Sequence, residues 1–200
     1  MRVAIAMLLV AIAGTAHAEA PGEYVVVAPA PVGRDVMADR WAVGLGVGAV
    51  SLAAPNATTP TGYGIGELAL RFRMTLHLEL EASLGGGDSQ DHTTSLGAAA
   101  LGLRYRFHPR EDWNVWFMGG LGAVSIETTA DHTSVERPMV ELGAGIERRF
   151  GRLALQAELR VIATGEPKQA EMTAARVATT QMTDDTLAGG ELTLGASVYF

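Results

Sequence analysis

In the stretch MTLHLELEASL, Leu76, Leu78, Leu80, Ala82 and Leu84 take every second position, with His77, Glu79, Glu81 and Ser83 between them. A period of two puts successive side chains on opposite faces, so the stretch is a strand with one apolar and one charged face; a helical period of 3.6 would scatter both sets. The pattern keeps returning. Leu68, Leu70 and Phe72 alternate with Glu67, Ala69, Arg71 and Arg73. Ala99, Leu101, Leu103, Tyr105 and Phe107 alternate with Ala100, Gly102, Arg104 and Arg106. Val140, Leu142, Ala144 and Ile146 alternate with Glu141, Gly143, Gly145 and Glu147, and Leu153 to Val161 and Leu192 to Phe200 do the same against Gln156, Glu158, Arg160, Glu191 and Thr193. Trp41, Val43, Leu45 and Val47 alternate with Ala42 and glycines, and in WNVWFMGGLGAVSI the outward set is Trp113, Val115, Phe117 and Leu121.

This reading predicts an all-β fold of eight strands, at 41–52, 64–74, 76–86, 95–107, 113–127, 138–150, 153–164 and 190–200. The second and third strands are expected to meet in a tight turn at Arg73–Thr75 that pairs Phe72 with Leu76, and the sixth and seventh across Gly151-Arg152. Connections after the even strands are short, and those around 53–63, 87–94, 128–137 and 165–189 are longer. An even strand number with short turns at one end and long loops at the other is the layout of an antiparallel up-and-down transmembrane β-barrel, its termini on the periplasmic side.

The N-terminus agrees with export. MRVAIAMLLVAIAGTAHA carries Arg2, an apolar run from Val3 to Ala13, and Ala16-His17-Ala18, the order of a secretory signal peptide cleaved before Glu19. A membrane-anchoring helix is the competing reading of that run, which is short for one. Residues 19–40, with four Pro and no alternation, read as a linker to a barrel at 41–200. Cleavage removes one Arg and no acid, taking the net charge from -7 to -8, a poor balance for binding nucleic acid. Cysteine is absent, which excludes disulfides and thiolate sites. After residue 18 no stretch is apolar for long enough to cross a membrane as a helix.

Alternation does not say which face meets lipid; a soluble lipocalin-like barrel would bury the leucines and show Glu and Arg to water. Four features favour lipid outside. Trp41, Phe72, Phe107, Trp113, Phe150 and Phe200 collect at the short-turn end as an interfacial girdle would, while the other end has little beyond Tyr63. About ten residues at roughly 3.3 Å, tilted by about 45°, span roughly 23 Å, a hydrocarbon layer. Gly44, Gly46, Gly48, Gly102, Gly143, Gly145 and Gly195 on the inward face would relieve crowding in a barrel whose interior only just holds its own side chains. The chain also ends on Phe200 with apolar residues at alternate positions before it.

On that last point LTLGASVYF resembles the terminal assembly signal of outer-membrane β-barrel proteins. LALRFRMTLHLELEASLG and GLGAVSI resemble the eight-stranded outer-membrane protein A/X-like β-barrel family. The resemblance covers 41–200 and implies no catalytic, cofactor or metal residues. It implies outer-membrane lipids as surroundings and the barrel-assembly machinery as a partner through the strand ending at Phe200. An unidentified extracellular ligand or partner is expected at the long loops, above all at 165–189 with Met172, Arg176, Met182, Asp184 and Asp185.

The inward face gathers Glu67, Arg71, Arg73, His77, Glu79, Glu81, Arg104, Arg106, Glu141, Glu147, Arg149, Gln156, Glu158, Arg160 and Glu191. Mixed charges out of bulk water survive by pairing, so a closed polar plug is expected, with Arg71 diagonal to Glu79 and Arg160 diagonal to Glu141; an ion path is the alternative. Asp91-His92-Thr93-Thr94 and Asp131-His132-Thr133-Ser134 are similar loop stretches with residue types that suit zinc. His132, Ser134 and Glu136 supply the types of base, nucleophile and orienter, and some outer-membrane lipid A deacylases use such a set, but the rest of their signature is missing and a loop gives Ser134 no rigid frame. The reading is therefore a non-enzymatic barrel with a structural or surface-recognition role.

Overall fold

The computed structural model describes residues 37–54, 59–130, 132–167 and 186–200. The expected leader, most of the linker, Asp131 and the centre of the 165–189 segment lie outside them. Eight antiparallel strands run in chain order: β1 Trp41–Ala53, β2 Thr61–Arg73, β3 Leu78–Ser89, β4 Thr94–Arg106, β5 Trp113–Thr128, β6 Thr133–Phe150, β7 Leu153–Thr164 and β8 Ala188–Tyr199. Each pairs with its neighbour, and β1 pairs with β8 to close the barrel. Closure removes every free sheet edge, which is what a strand structure needs where no water can satisfy its backbone. The seam extends one residue past β8, where Trp41 N donates to Phe200 O at 3.0 Å and Phe200 N to Trp41 O at 2.8 Å.

The leucine face is outside. Leu45, Leu84, Leu101, Leu121, Leu142 and Leu159 are exposed, Leu142 by 71%, whereas the Arg and Glu between them are buried. A water-soluble barrel would do the reverse, so the lipocalin-like alternative is overturned, because an apolar belt of this extent is one that a bilayer covers. At the short-turn rim Trp41 packs on Phe72, and Phe107 meets Tyr105 and Phe117 edge-on. Arg40 lies over Phe72 and Arg148 over Trp113 and Phe150, each about 5 Å from the ring, cations on an aromatic belt at the depth where headgroups begin. Tyr63, at the other end, points inward and is buried.

The β6–β7 register is as expected: Phe150 faces Leu153, Gly143 faces Arg160, and Gly151 has the positive φ of 68° that a two-residue hairpin turn needs. The β2–β3 register is not. Phe72 pairs with Leu80 instead of Leu76, and β3 starts at Leu78 after a turn in which Leu78 N donates to Thr75 Oγ1 at 3.0 Å. Both registers keep the leucines outside, since they differ by an even number of residues. They differ in charge: the observed one sets Arg71 opposite Glu81 and Arg73 opposite Glu79, whereas the shorter turn would have faced Arg71 with His77. His77 consequently sits in the turn, its Nδ1 2.8 Å from Arg106 O and its ring stacked on Tyr105, and takes no part in the interior.

Two loops are also shorter than expected. The β3–β4 and β5–β6 hairpins continue to tips at residues 90–93 and 129–132, because polar Ser, Thr and Glu residues carry the ladder beyond the apolar alternation that marked the strands in sequence.

Candidate functional site

Inside, the barrel has two storeys. The half toward the short turns is a lattice of guanidinium and carboxylate groups. Glu81 stands among three arginines: it accepts from Arg71 Nε, from Arg104 Nη2 at 2.5 Å and from Arg160 Nη2 at 3.4 Å. Below it, Arg106 Nη1 donates to Glu79 at 3.0 Å and to Tyr199 Oη at 2.9 Å, and Arg106 Nη2 donates to Glu147 at 2.5 Å, which also receives Arg149 Nε at 2.6 Å. Tyr199 donates to Glu147 at 3.1 Å. All these groups are buried, so each charge depends on its partners for the solvation it has lost.

Arg71 to Glu79 at 3.9 Å and Arg160 to Glu141 at 3.8 Å are the two diagonal pairs expected from sequence. Each is secondary to a closer one: Arg71 to Glu81, and Arg160 to Glu158 and to Glu67 at 2.8 Å. Trp116, fully buried, carries the Arg104 guanidinium 3.5 Å above its ring. Gly145, directly opposite, makes room for the indole: a Cβ there would lie 2.2 Å from Trp116 Cζ2.

Toward the loops the interior changes character. Val50, Leu52, Tyr63, Leu96, Val124, Ile126, Met139, Ile162 and Leu187 form a buried apolar cluster, with Ile65 and Ala98 packed on it. The interior is thus not polar throughout, as the sequence reading had it. The sequence does carry the signal: in Ala49-Val50-Ser51-Leu52 and Ala123-Val124-Ser125-Ile126 the large residues switch to the inward positions and the small ones go outside. Between the storeys lies a cavity of about 30 Å³, roofed by aliphatic side chains and floored by Glu67, Glu141, Glu191 and Arg160.

At the loop end His92 and His132 lie at the tips of two hairpins. His92 and His132 both hold φ of 56°, a left-handed conformation that His tolerates better than most residues, and their amides bond back to Ser89 O and Thr128 O at 2.9 Å each. Their likeness in sequence is a likeness of turns. The tips touch, Thr129 N donating to Thr93 O at 2.9 Å, yet among the described residues no group of three His, Cys, Asp or Glu is placed to hold a metal ion. Asp91 accepts from Ser89 Oγ at 2.6 Å and from Thr93 Oγ1 at 2.9 Å, and these bonds pull its carboxyl down to about 2. His132 Nδ1 lies 3.0 Å from Glu127, and Ser134 Oγ lies 2.7 Å from Ser125 Oγ. The nucleophile and base types proposed from sequence therefore bond to other partners, not to each other.

No protein-family model matches the chain, and no curated protein matches it. Solved structures do. Neisserial surface protein A superposes with a TM-score of 0.64 at 11% identity, over 80% of this chain and 97% of that one. The attachment invasion locus protein Ail of Yersinia pestis superposes with a TM-score of 0.51 at 12% identity, over 81% and 99% respectively. Ail in complex with the heparin analogue sucrose octasulfate gives 0.53 at 13%. Likeness at such identity is a likeness of fold, and with the apolar exterior and the closed eight-strand ladder it gives this chain the fold of the small outer-membrane β-barrels.

Proposed function

We propose that the chain is a non-enzymatic barrel of a bacterial outer membrane, sealed to ions, that holds its loop end at the cell surface for structural or recognition purposes. The observation that carries this is the interior itself: among the described residues, buried, paired Arg and Glu side chains fill the short-turn half and aliphatic side chains fill most of the other half, which supports a bore closed to ions. In this reading residues 1–18 are a cleaved export signal, outer-membrane lipids cover the belt, and the barrel-assembly machinery takes the strand ending at Phe200. Residues 165–189 are the preferred contact for an extracellular partner.

A hydrolase acting on lipid A is the second reading, since His132, Ser134 and Glu136 lie at the loop end. The separate partners of His132 and Ser134 weigh against it. Fractionation and planar-bilayer recording test the proposal together. The mature protein should stay with the outer membrane through urea washing, shift its gel mobility on boiling, and give no steady conductance. Recovery as a soluble periplasmic monomer, or large regular conductance steps, would refute it.

A further inference from the structure

The cavity between the storeys has an uneven charge floor. Five carboxylates, those of Glu67, Glu81, Glu141, Glu158 and Glu191, lie within 4 Å of the single guanidinium of Arg160. Of these, Glu81 is also paired with Arg71 and Arg104, and Glu158 with Arg104 at 3.4 Å, whereas Glu67, Glu141 and Glu191 are each ion-paired with Arg160. Two oxygens show the imbalance directly: Glu141 Oε1 is buried with no hydrogen bond, and Glu191 Oε1 has Arg160 Nη1 at 3.6 Å, beyond hydrogen-bond reach; their side chains are only 2% and 8% exposed, and both residues line the cavity. A buried carboxylate oxygen left without a donor is costly, and donors placed in the cavity would satisfy both.

We infer that this cavity is a binding site for a small primary ammonium ion, its N–H groups donating to Glu141 and Glu191 and its short alkyl group lying under Val50, Ile65, Leu96 and Ile162. Size limits the ligand. A water needs about 10–15 Å³ of such space, so a cavity of about 30 Å³ takes a guest of two or so heavy atoms. Charge and shape decide the class. The floor calls for a cation, the roof for an apolar group, and the absence of metal-ligating geometry among the described residues favours a hydrogen-bonding cation over a coordinated one. This site goes beyond the proposed function and does not depend on it: a sealed barrel and a conducting one each either have it or lack it.

The test uses the full mature barrel in detergent micelles with ¹³C-methyl methionine, reading the Met139 resonance at the cavity wall during titration with methylammonium chloride. A saturable shift is expected with a Kd on the order of 10 mM, near the tightest that two heavy atoms can deliver. Glu141→Gln and Glu191→Gln should each weaken binding at least about fivefold, through loss of a charged acceptor. Ala98→Leu, which fills the cavity and keeps every charge, should abolish binding, with gel mobility before and after boiling confirming that each variant folds. An absent shift, an equal shift with methanol or with sodium chloride, or wild-type binding in both Gln variants and in Ala98→Leu would each overturn the assignment.

Discussion

Glu81 accepts from three arginines in the plug, and its removal measures what the plug contributes. Glu81→Ala takes a carboxylate from among Arg71, Arg104 and Arg160. Its two shortest bonds are charge-assisted, at about 1.5–3 kcal/mol each, for a gross loss of about 3–6 kcal/mol. Some returns, because Arg104 retains Glu158 at 3.4 Å and Arg71 retains Glu79 at 3.9 Å and the hydroxyl of Ser197 at 2.5 Å. The net should fall in the range of about 3–5 kcal/mol found when one partner of a buried pair is deleted. With a urea dependence of about 2 kcal/mol per molar, the midpoint should drop by roughly 1.5–2.5 M. The assay is urea unfolding in lipid vesicles, followed by tryptophan fluorescence and by the unboiled gel band. Glu81→Gln, which keeps the shape and one acceptor, should lose less. A cycle of Arg71→Ala with Glu81→Ala should show a coupling of about 0.5–3 kcal/mol. An unchanged midpoint in Glu81→Ala, with no coupling to Arg71, would refute the reasoning, because it would mean that water already solvates these charges.

The remaining expectations concern other parts of the chain. Gly145→Ala should destabilise the barrel by about 1–3 kcal/mol, because its Cβ would overlap Trp116 and approach Ala157 O to 2.7 Å, while Gly64→Ala, which meets nothing within 4 Å, should be tolerated; the same urea midpoints read both. His132→Ala and Ser134→Ala should leave the lipid A acylation pattern of an expressing strain unchanged, as mass spectrometry of extracted lipid A would show; a deacylated product lost in either variant would establish the hydrolase instead. Asp91, held down to about 2 from an ordinary 3.8, supports its hairpin tip in full above about pH 4 and loses that support as pH falls toward 2. The Thr93 amide signal should therefore move only in that acid window, and a transition near neutrality would contradict the hydrogen-bond assignment.

How much of this was legible in the sequence depends on which physical constraint wrote it there. Strand number, the outward leucines and the Gly151-Arg152 turn follow from alternation and from one glycine, and the barrel reproduces them. The β2–β3 register was missed because alternation fixes only the parity of a pairing, and pairings of Phe72 with Leu76 or with Leu80 have the same parity. Matching Arg71 and Arg73 against Glu81 and Glu79 would have broken the tie. The loops were overestimated for a related reason: above the lipid, Thr133, Ser134 and Glu136 form ladder without any need for an apolar side. Charge pairing inside was legible in outline, yet five carboxylates converging on Arg160 come from β2, β3, β6, β7 and β8, which only closure brings together.

The two storeys follow from a fixed cross-section. Eight strands leave a bore that side chains must fill along its whole length, so any bulk the inward face gains at one level must be offset at that level by smaller neighbours. In the lower storey long Arg and Glu side chains, Trp116 and Tyr199 occupy the bore, and Gly44, Gly102, Gly143 and Gly145 stand where a Cβ would strike them or their neighbours. In the upper storey branched and thioether side chains fill it, with the smaller Ala98 and Ala100 among them. The charged storey runs from the aromatic rim at the short turns into the leucine-clad part of the belt, where lipid offers the wall no hydrogen-bonding alternative and each buried charge depends on its partners. At the boundary the two fillings do not quite meet, and the small cavity over Glu141 and Glu191 is the space between them.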